Sequence, residues 1–177
     1  MKSTVEEKES AAALKNDDRG GKYLVFQLGR EEFAIKVVKV REIMGIQDIT
    51  AVPQTPDHVK GVINLRGKVI PVVDLRLKFG LPEQEHTQRT CIIVVQVQGQ
   101  AGPTLMGVVV DAVAEVLNLA ATDIEDTPDF GDGTATPYLL GMAKVKGNVK
   151  ILLEIDQVLS THDLHGLEAA MQSRRNS

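Results

Sequence analysis

A few side chains in this 177-residue chain are of a type and spacing that can do chemistry. His162 and His165 stand three apart, so on a helix they would share a face and offer two nitrogens to a metal. No third ligand stands at a matching spacing. Asp123, Asp126 and Asp129 are loop acids, set more loosely than the oxygen pattern a calcium loop requires. Cys91 lies inside the apolar run CIIVVQV and reads as a buried, reduced thiol rather than an activated thiolate, which suits a cytoplasmic address. Glu42 and Glu115 occupy corresponding places in two similar segments. Paired, they would be an acid/base couple; as strand residues they meet cations or solvent, and that reading fits better. Phosphate loop, dinucleotide turn and nucleophile elbow are all missing. The expectation is a binding module without cofactor or metal.

Arg66 is the remaining candidate. It sits in GVINLRGKVIPVVDL, Gly61 to Leu75, whose pattern returns as GMAKVKGNVKILLEI, Gly141 to Ile155. In the second copy the arginine is Lys146 and Pro71 is Ile151. Gly67 and Gly147 mark the turns, where positive φ is cheap for glycine. An arginine offers a planar fork of donors on an apolar stem, which suits a contact that is part apolar and part hydrogen-bonded. The second copy alternates an apolar face (Val149, Ile151, Leu153, Ile155) with a largely polar one (Lys150, Leu152, Glu154). In the first copy the corresponding polar face is Ile70, Val72, Asp74. Either it packs against the other half of the chain or it meets a partner. Pro71 lacks a donor, so its strand is expected at a sheet edge or beside a bulge.

These residues must be carried by short strands. Hydrophobic residues make up 43% and aromatics 3%, a globular, valine-rich composition that favours strands. Tyr23–Leu28 and Phe33–Ile35 read as strands around a Gly29 turn, and KVVKVREIM as one helical turn running into a strand. Cys91–Val97 and TLMGVVV repeat that pair, and DAVAEVLNL repeats KVVKVREIM, with Val113, Glu115 and Val116 matching Val40, Glu42 and Ile43. Two copies make two related β units rather than a solenoid. The polar connector Leu81–Thr90 is the expected seam between halves. Residues 1–20 read as a disordered tail, 21–160 as the folded region, and 161–177 as a short C-terminal helix and tail with Leu164, Leu167 and Met171 on one face. The fold class is all-β, two small barrels with short helices. A net charge of −4 is poor footing for nucleic acid, and no apolar run approaches the roughly 20 residues of a membrane span.

The stretches KYLVFQLGREEFAIKVVKVREIM, TPDHVKGVINLRGKVIPVVDLRLKFG and LMGVVVDAVAEVL, in order over residues 21–160, resemble the CheW family of bacterial chemotaxis coupling proteins. NLRG followed by PVVDLR is the most specific part. The resemblance implies two SH3-like five-stranded barrels and a non-enzymatic adaptor. Its implied partners are the cytoplasmic tip of a methyl-accepting chemotaxis receptor and the regulatory domain of a CheA-type histidine kinase, in the cytoplasm beside membrane-bound receptor arrays. The implied receptor groove lies between the subdomains at Val40, Glu42, Gly61, Arg66, Val113 and Val116. The implied kinase or array contact is IEDTPDF, with Phe130 as apolar anchor and Glu125 where some relatives carry a basic residue. The alternatives are a regulatory-domain-like barrel of another two-component system, or a small-ligand barrel.

Overall fold

The computed structural model describes residues 18–99, 101–127 and 138–159. The described residues form eleven strands in chain order: β1 (Gly21–Leu28), β2 (Glu31–Lys36), β3 (Val40–Gly45), β4 (Val59–Leu65), β5 (Lys68–Asp74), β6 (Cys91–Gly99), β7 (Gly102–Val110), β8 (Ala112–Leu119), β9 (Ile124–Glu125), β10 (Leu139–Val145) and β11 (Asn148–Leu153). Helix α1 (Leu75–Lys78) follows β5 and helix α2 (Ile155–Val158) follows β11. The expected helical turn before β3 is the 3-10 turn Val37–Lys39. Among the described residues no helix is long and apolar enough to cross a membrane.

The strands form two sheets, ordered β8-β1-β2-β11-β10-β9 and β3-β6-β7-β5-β4. Each sheet therefore takes two adjacent strands from one repeat and the rest from the other. The expected seam at Leu81–Thr90 is corrected by this topology. That connector leads to β6, which pairs with β3 from the first repeat. The chain changes sheets instead between β2 and β3 and between β7 and β8. The repeat itself holds in detail. The β1–β8 register shifts at Val25/Phe26, where Val25 faces Glu115 and Phe26 faces Val113. The β3–β6 register shifts at the matching place, where Glu42 faces Val94 and Val40 faces Val95. Both sheets also contain one parallel pair, β11–β2 and β5–β7.

Pro71 is not at an edge, since β5 lies between β7 and β4. Val62, its partner across β4, exchanges both backbone hydrogen bonds with Thr50 at 2.9 Å. The polar groups of Pro71 therefore face away from β4, and the β7 pairing begins only at Val72. The missing donor is never needed.

Three apolar clusters form among the described residues. One, around Tyr23, Val25, Ala34 and Leu152, belongs to the first sheet, and one, around Ile63, Ile70, Val72, Ile92 and Val94, to the second. The third joins the sheets through Phe26, Ile35, Val73, Leu75, Ile93, Val95, Leu153 and Ile155. The Ile70/Val72 face is thereby explained: it packs inward on strands of the other repeat. Cys91, expected to be buried, is only half-buried, with its thiol donating to the Arg89 carbonyl at 3.2 Å.

The two sheet-changing segments are clamped by related ion pairs of opposite polarity. Arg76 of α1 donates to Asp111, between β7 and β8, at 2.6 Å, and the Gly29 N–H of the β1–β2 turn joins that carboxylate at 2.7 Å. Asp156 of α2 accepts from Lys39, ahead of β3, at 2.6 Å, and the Gln98 N–H near the β6–β7 turn joins it at 3.0 Å. Charge-assisted bonds to half-buried carboxylates fix both crossings where loose loops would let the sheets separate.

Candidate functional site

Arg66 and Gly67 are the two central residues of the β4–β5 turn, between the paired Leu65 and Lys68. Both have positive φ, 49° and 86°, as do Lys146 and Gly147 in the β10–β11 turn at 52° and 83°. A two-residue type I′ turn, whose twist matches the right-handed twist of the flanking strands, demands this, so the backbone of Arg66 reflects hairpin geometry in both copies. The Asn64 Oδ1 accepts from the Gly67 N–H at 2.9 Å and fastens the first turn.

The side chains separate the copies. The Arg66 guanidinium reaches back to β3 and donates to both oxygens of Glu42, at 2.7 and 3.2 Å. Among the described residues, Lys146 and Glu115 form no such ion pair. Two of the five guanidinium N–H groups are thus committed, and the others remain on a side chain that is 73% exposed. Hydrogen bonding from Arg66 holds the Glu42 carboxyl below its usual range. A depressed pKa means that the pair is intact above the ordinary carboxylate range and is lost as pH falls through the lowered value. It is therefore formed throughout the neutral range.

The other expected groove residues are distributed unequally. Val40 on β3 and Val113 on β8 are both half-buried and pack on the same central cluster. Val116, further along β8, is 56% exposed. Its repeat partner Ile43 is exposed as well, so the two sheets offer matched apolar positions. Gly61 has a packing reason of its own. With φ at 140°, a Cβ there would stand 2.0 Å from the Thr50 carbonyl oxygen. Its counterpart Gly141 admits the β9 backbone at Glu125 in the same manner. Gly61→Ala is expected to cost about 2 kcal/mol or more, through overlap with backbone that cannot rotate aside. Chemical denaturation checks this, and a midpoint equal to wild type would show that the 50–51 segment yields freely.

Glu125 lies on β9, faces Met142 and stands 3.9 Å from Lys144, with both side chains exposed. Phe130 lies outside the described residues, as do Asp129, His162, His165 and the expected C-terminal helix. Among the described residues no three His, Cys, Asp or Glu side chains gather as a metal site.

One feature was missed in the sequence. Phe26, Phe33, Phe79 and Tyr138 form a continuous run with ring centroids 6.1, 5.6 and 6.1 Å apart. Phe33, Phe79 and Tyr138 line an open groove of about 1080 Å³. The signal available was scarcity: the chain has four Phe and two Tyr, and four of these six come together.

Residues 22–163 match the CheW-like domain family. The chain belongs to the CheW family. It is 37% identical over 155 residues to a chemotaxis protein CheW of Klebsiella aerogenes, covering 88% of this chain and 91% of that one. It is 36% identical over 152 residues to a chemotaxis protein CheW of Rhizobium meliloti, covering 85% and 96%. Among solved structures it is similar to the scaffolding protein TtCheW of Thermoanaerobacter tengcongensis, with a TM-score of 0.69 and 30% identity over 81% of this chain and 95% of that one. The two all-β sheets are thus the CheW-type pair of SH3-like barrels. The first sheet adds the two-residue β9 to the five strands expected, and the Thr50–Val62 bridge takes the corresponding place in the second.

Proposed function

We propose that this CheW-like chain is a non-enzymatic adaptor that couples the helical cytoplasmic tip of a chemoreceptor to the regulatory domain of a CheA-type histidine kinase. The observation that carries the receptor half is the Arg66–Glu42 fork, which breaks the likeness of the two repeats at the surface. It holds a charged, partly unsatisfied donor beside the strand that carries Val40, while Val113 and Val116 supply apolar positions from the other sheet. An amphipathic helix meets such a surface with an apolar stripe and rim hydrogen bonds. Gly61 acts indirectly, by seating the hairpin that presents Arg66. Glu125 and Phe130 are assigned to the kinase or array contact, and the reading places the chain in the cytoplasm beside receptor arrays.

Capture from cell lysate with the tagged full chain tests the function as a whole. A histidine kinase and a long helical membrane receptor are expected to be recovered together. Recovery of neither, with a small-molecule cofactor retained in native mass spectrometry, would favour a ligand-binding barrel instead.

A further inference from the structure

A second cleft, of about 730 Å³, lies beside the Arg76–Asp111 clamp. Arg30, Arg76 and Arg89 line it, together with Gln84, Thr87 and Gln88. Asp111 is the one acid among its described lining residues. None of the receptor or kinase residues assigned above belongs to that lining. We propose that the cleft docks an acidic, carboxylate-bearing segment of a partner protein.

The first support is placement. Three separate elements bring the arginines together, and each backbone is pinned. Arg30 is the second central residue of the β1–β2 turn, between the paired Leu28 and Glu31. Arg76 stands on α1, where its N–H donates to the Asp74 carboxylate at 2.9 Å. Arg89 lies in a turn closed by two threonines. There the Thr87 N–H donates to the Thr90 hydroxyl at 2.8 Å, and the Arg89 N–H to the Thr87 hydroxyl at 3.1 Å.

The second support is charge. Arg76 donates through Nε to the Pro82 carbonyl at 2.9 Å and through Nη1 to Asp111 at 2.6 Å. Those bonds commit two of its five donors and neutralise the one carboxylate of the lining. The Arg30 and Arg89 side chains are exposed and, among the described residues, meet no acid. Of the acids nearby in sequence, Glu83 is paired with Lys60, Glu31 lines the aromatic groove that Arg30 also borders, and Glu85 lies outside the cleft lining. In a chain of net charge −4, two guanidinium forks thus stand uncompensated at one mouth.

The third support is the repeat. The second copy closes the matching crossing with Asp156 at the place of Arg76. Its β6–β7 turn has Gln100 and Ala101 where the β1–β2 turn has Gly29 and Arg30. The crossing needs no arginine in that turn, so the fold does not account for Arg30.

A small ligand is oriented by polar groups fixed around an enclosed pocket. Of the three arginines, Arg76 alone is held by side-chain bonds, while Arg30 and Arg89 stand in solvent at the rim. Such cations suit the carboxylates of a protein segment, met directly or through water.

Fluorescence anisotropy of a labelled hexaglutamate peptide, titrated with the full chain at low ionic strength, tests the proposal. The wild-type chain is expected to bind the peptide. Arg30→Gln with Arg89→Gln is expected to weaken binding about tenfold, as two exposed ion pairs are lost together. Arg89→Gln alone is expected to weaken it about threefold. The charge control is Lys22→Gln with Lys146→Gln, two exposed lysines outside the lining. It removes the same net charge and is expected to change binding by less than about twofold. Absence of binding by the wild-type chain overturns the proposal. So does binding that is unchanged in the cleft variants, or that falls as far in the control. Inorganic pyrophosphate held more tightly than the peptide overturns it in favour of a small-anion site.

Discussion

Lys150→Met is expected to lower the unfolding free energy by about 2–3 kcal/mol, while Lys150→Ile with Glu32→Leu leaves stability near or above wild type. Lys150 is 5% exposed and its ammonium lies 2.8 Å from the Glu32 carboxylate. The two residues face each other across the parallel β11–β2 pair. They share a face with Leu152 and Ala34, inside the first sheet's cluster. The repeat supplies the control. At the corresponding places the second sheet has Ile70 and Leu105, part of an apolar cluster. An ion pair therefore stands where the same architecture accepts two aliphatic side chains. Removing Lys150 alone leaves the half-buried Glu32 carboxylate without its counter-charge, and its partial desolvation is the cost. Replacing both removes the two desolvation costs together. In a domain of this size the single variant should melt roughly 5–10 °C lower by circular dichroism. A single variant that melts like wild type would show that water reaches Glu32 and that the pair contributes nothing.

The second large effect is on binding. Arg66→Glu is expected to weaken receptor co-sedimentation about 30-fold, or about 2 kcal/mol, as for an interface hot spot. Folding should be unaffected, because an exposed ion pair in water adds little to stability. The more informative variant is the charge exchange, Arg66→Glu with Glu42→Arg. It restores an ion pair between β3 and the β4–β5 turn but moves the guanidinium to the other strand. If Arg66 itself donates to the receptor, binding stays lost. Recovery in the exchanged variant would mean that the pair only braces the hairpin, and the assignment of Arg66 as a contact would fail.

Much of this is legible in the amino-acid sequence itself. The matched V-x-E segments and the two glycine hairpins located the repeat, and the structure places their bulges and turn residues at corresponding positions. Glu42 and Arg66 were both singled out from the sequence, but their contact was not. A strand and a turn separated by a long Pro-punctuated loop carry no pattern that says which cation meets which acid. The aromatic groove was equally silent, because Phe33, Phe79 and Tyr138 come from three separate elements.

The amino-acid sequence by itself determined the strands, their turns and the twofold repetition, since alternation, glycine placement and β-branching act within a few residues. Which copy of a strand pairs with which lay beyond it. Two repeats with the same alternation present equivalent edges, so β3 matches β1 as well in pattern as it matches β6. That choice is made where the chain changes sheets, by a single 3-10 turn before β3 and by the lone residue Asp111 before β8. The Lys39–Asp156 and Arg76–Asp111 clamps hold those crossings, and they exist only once the two short helices have packed.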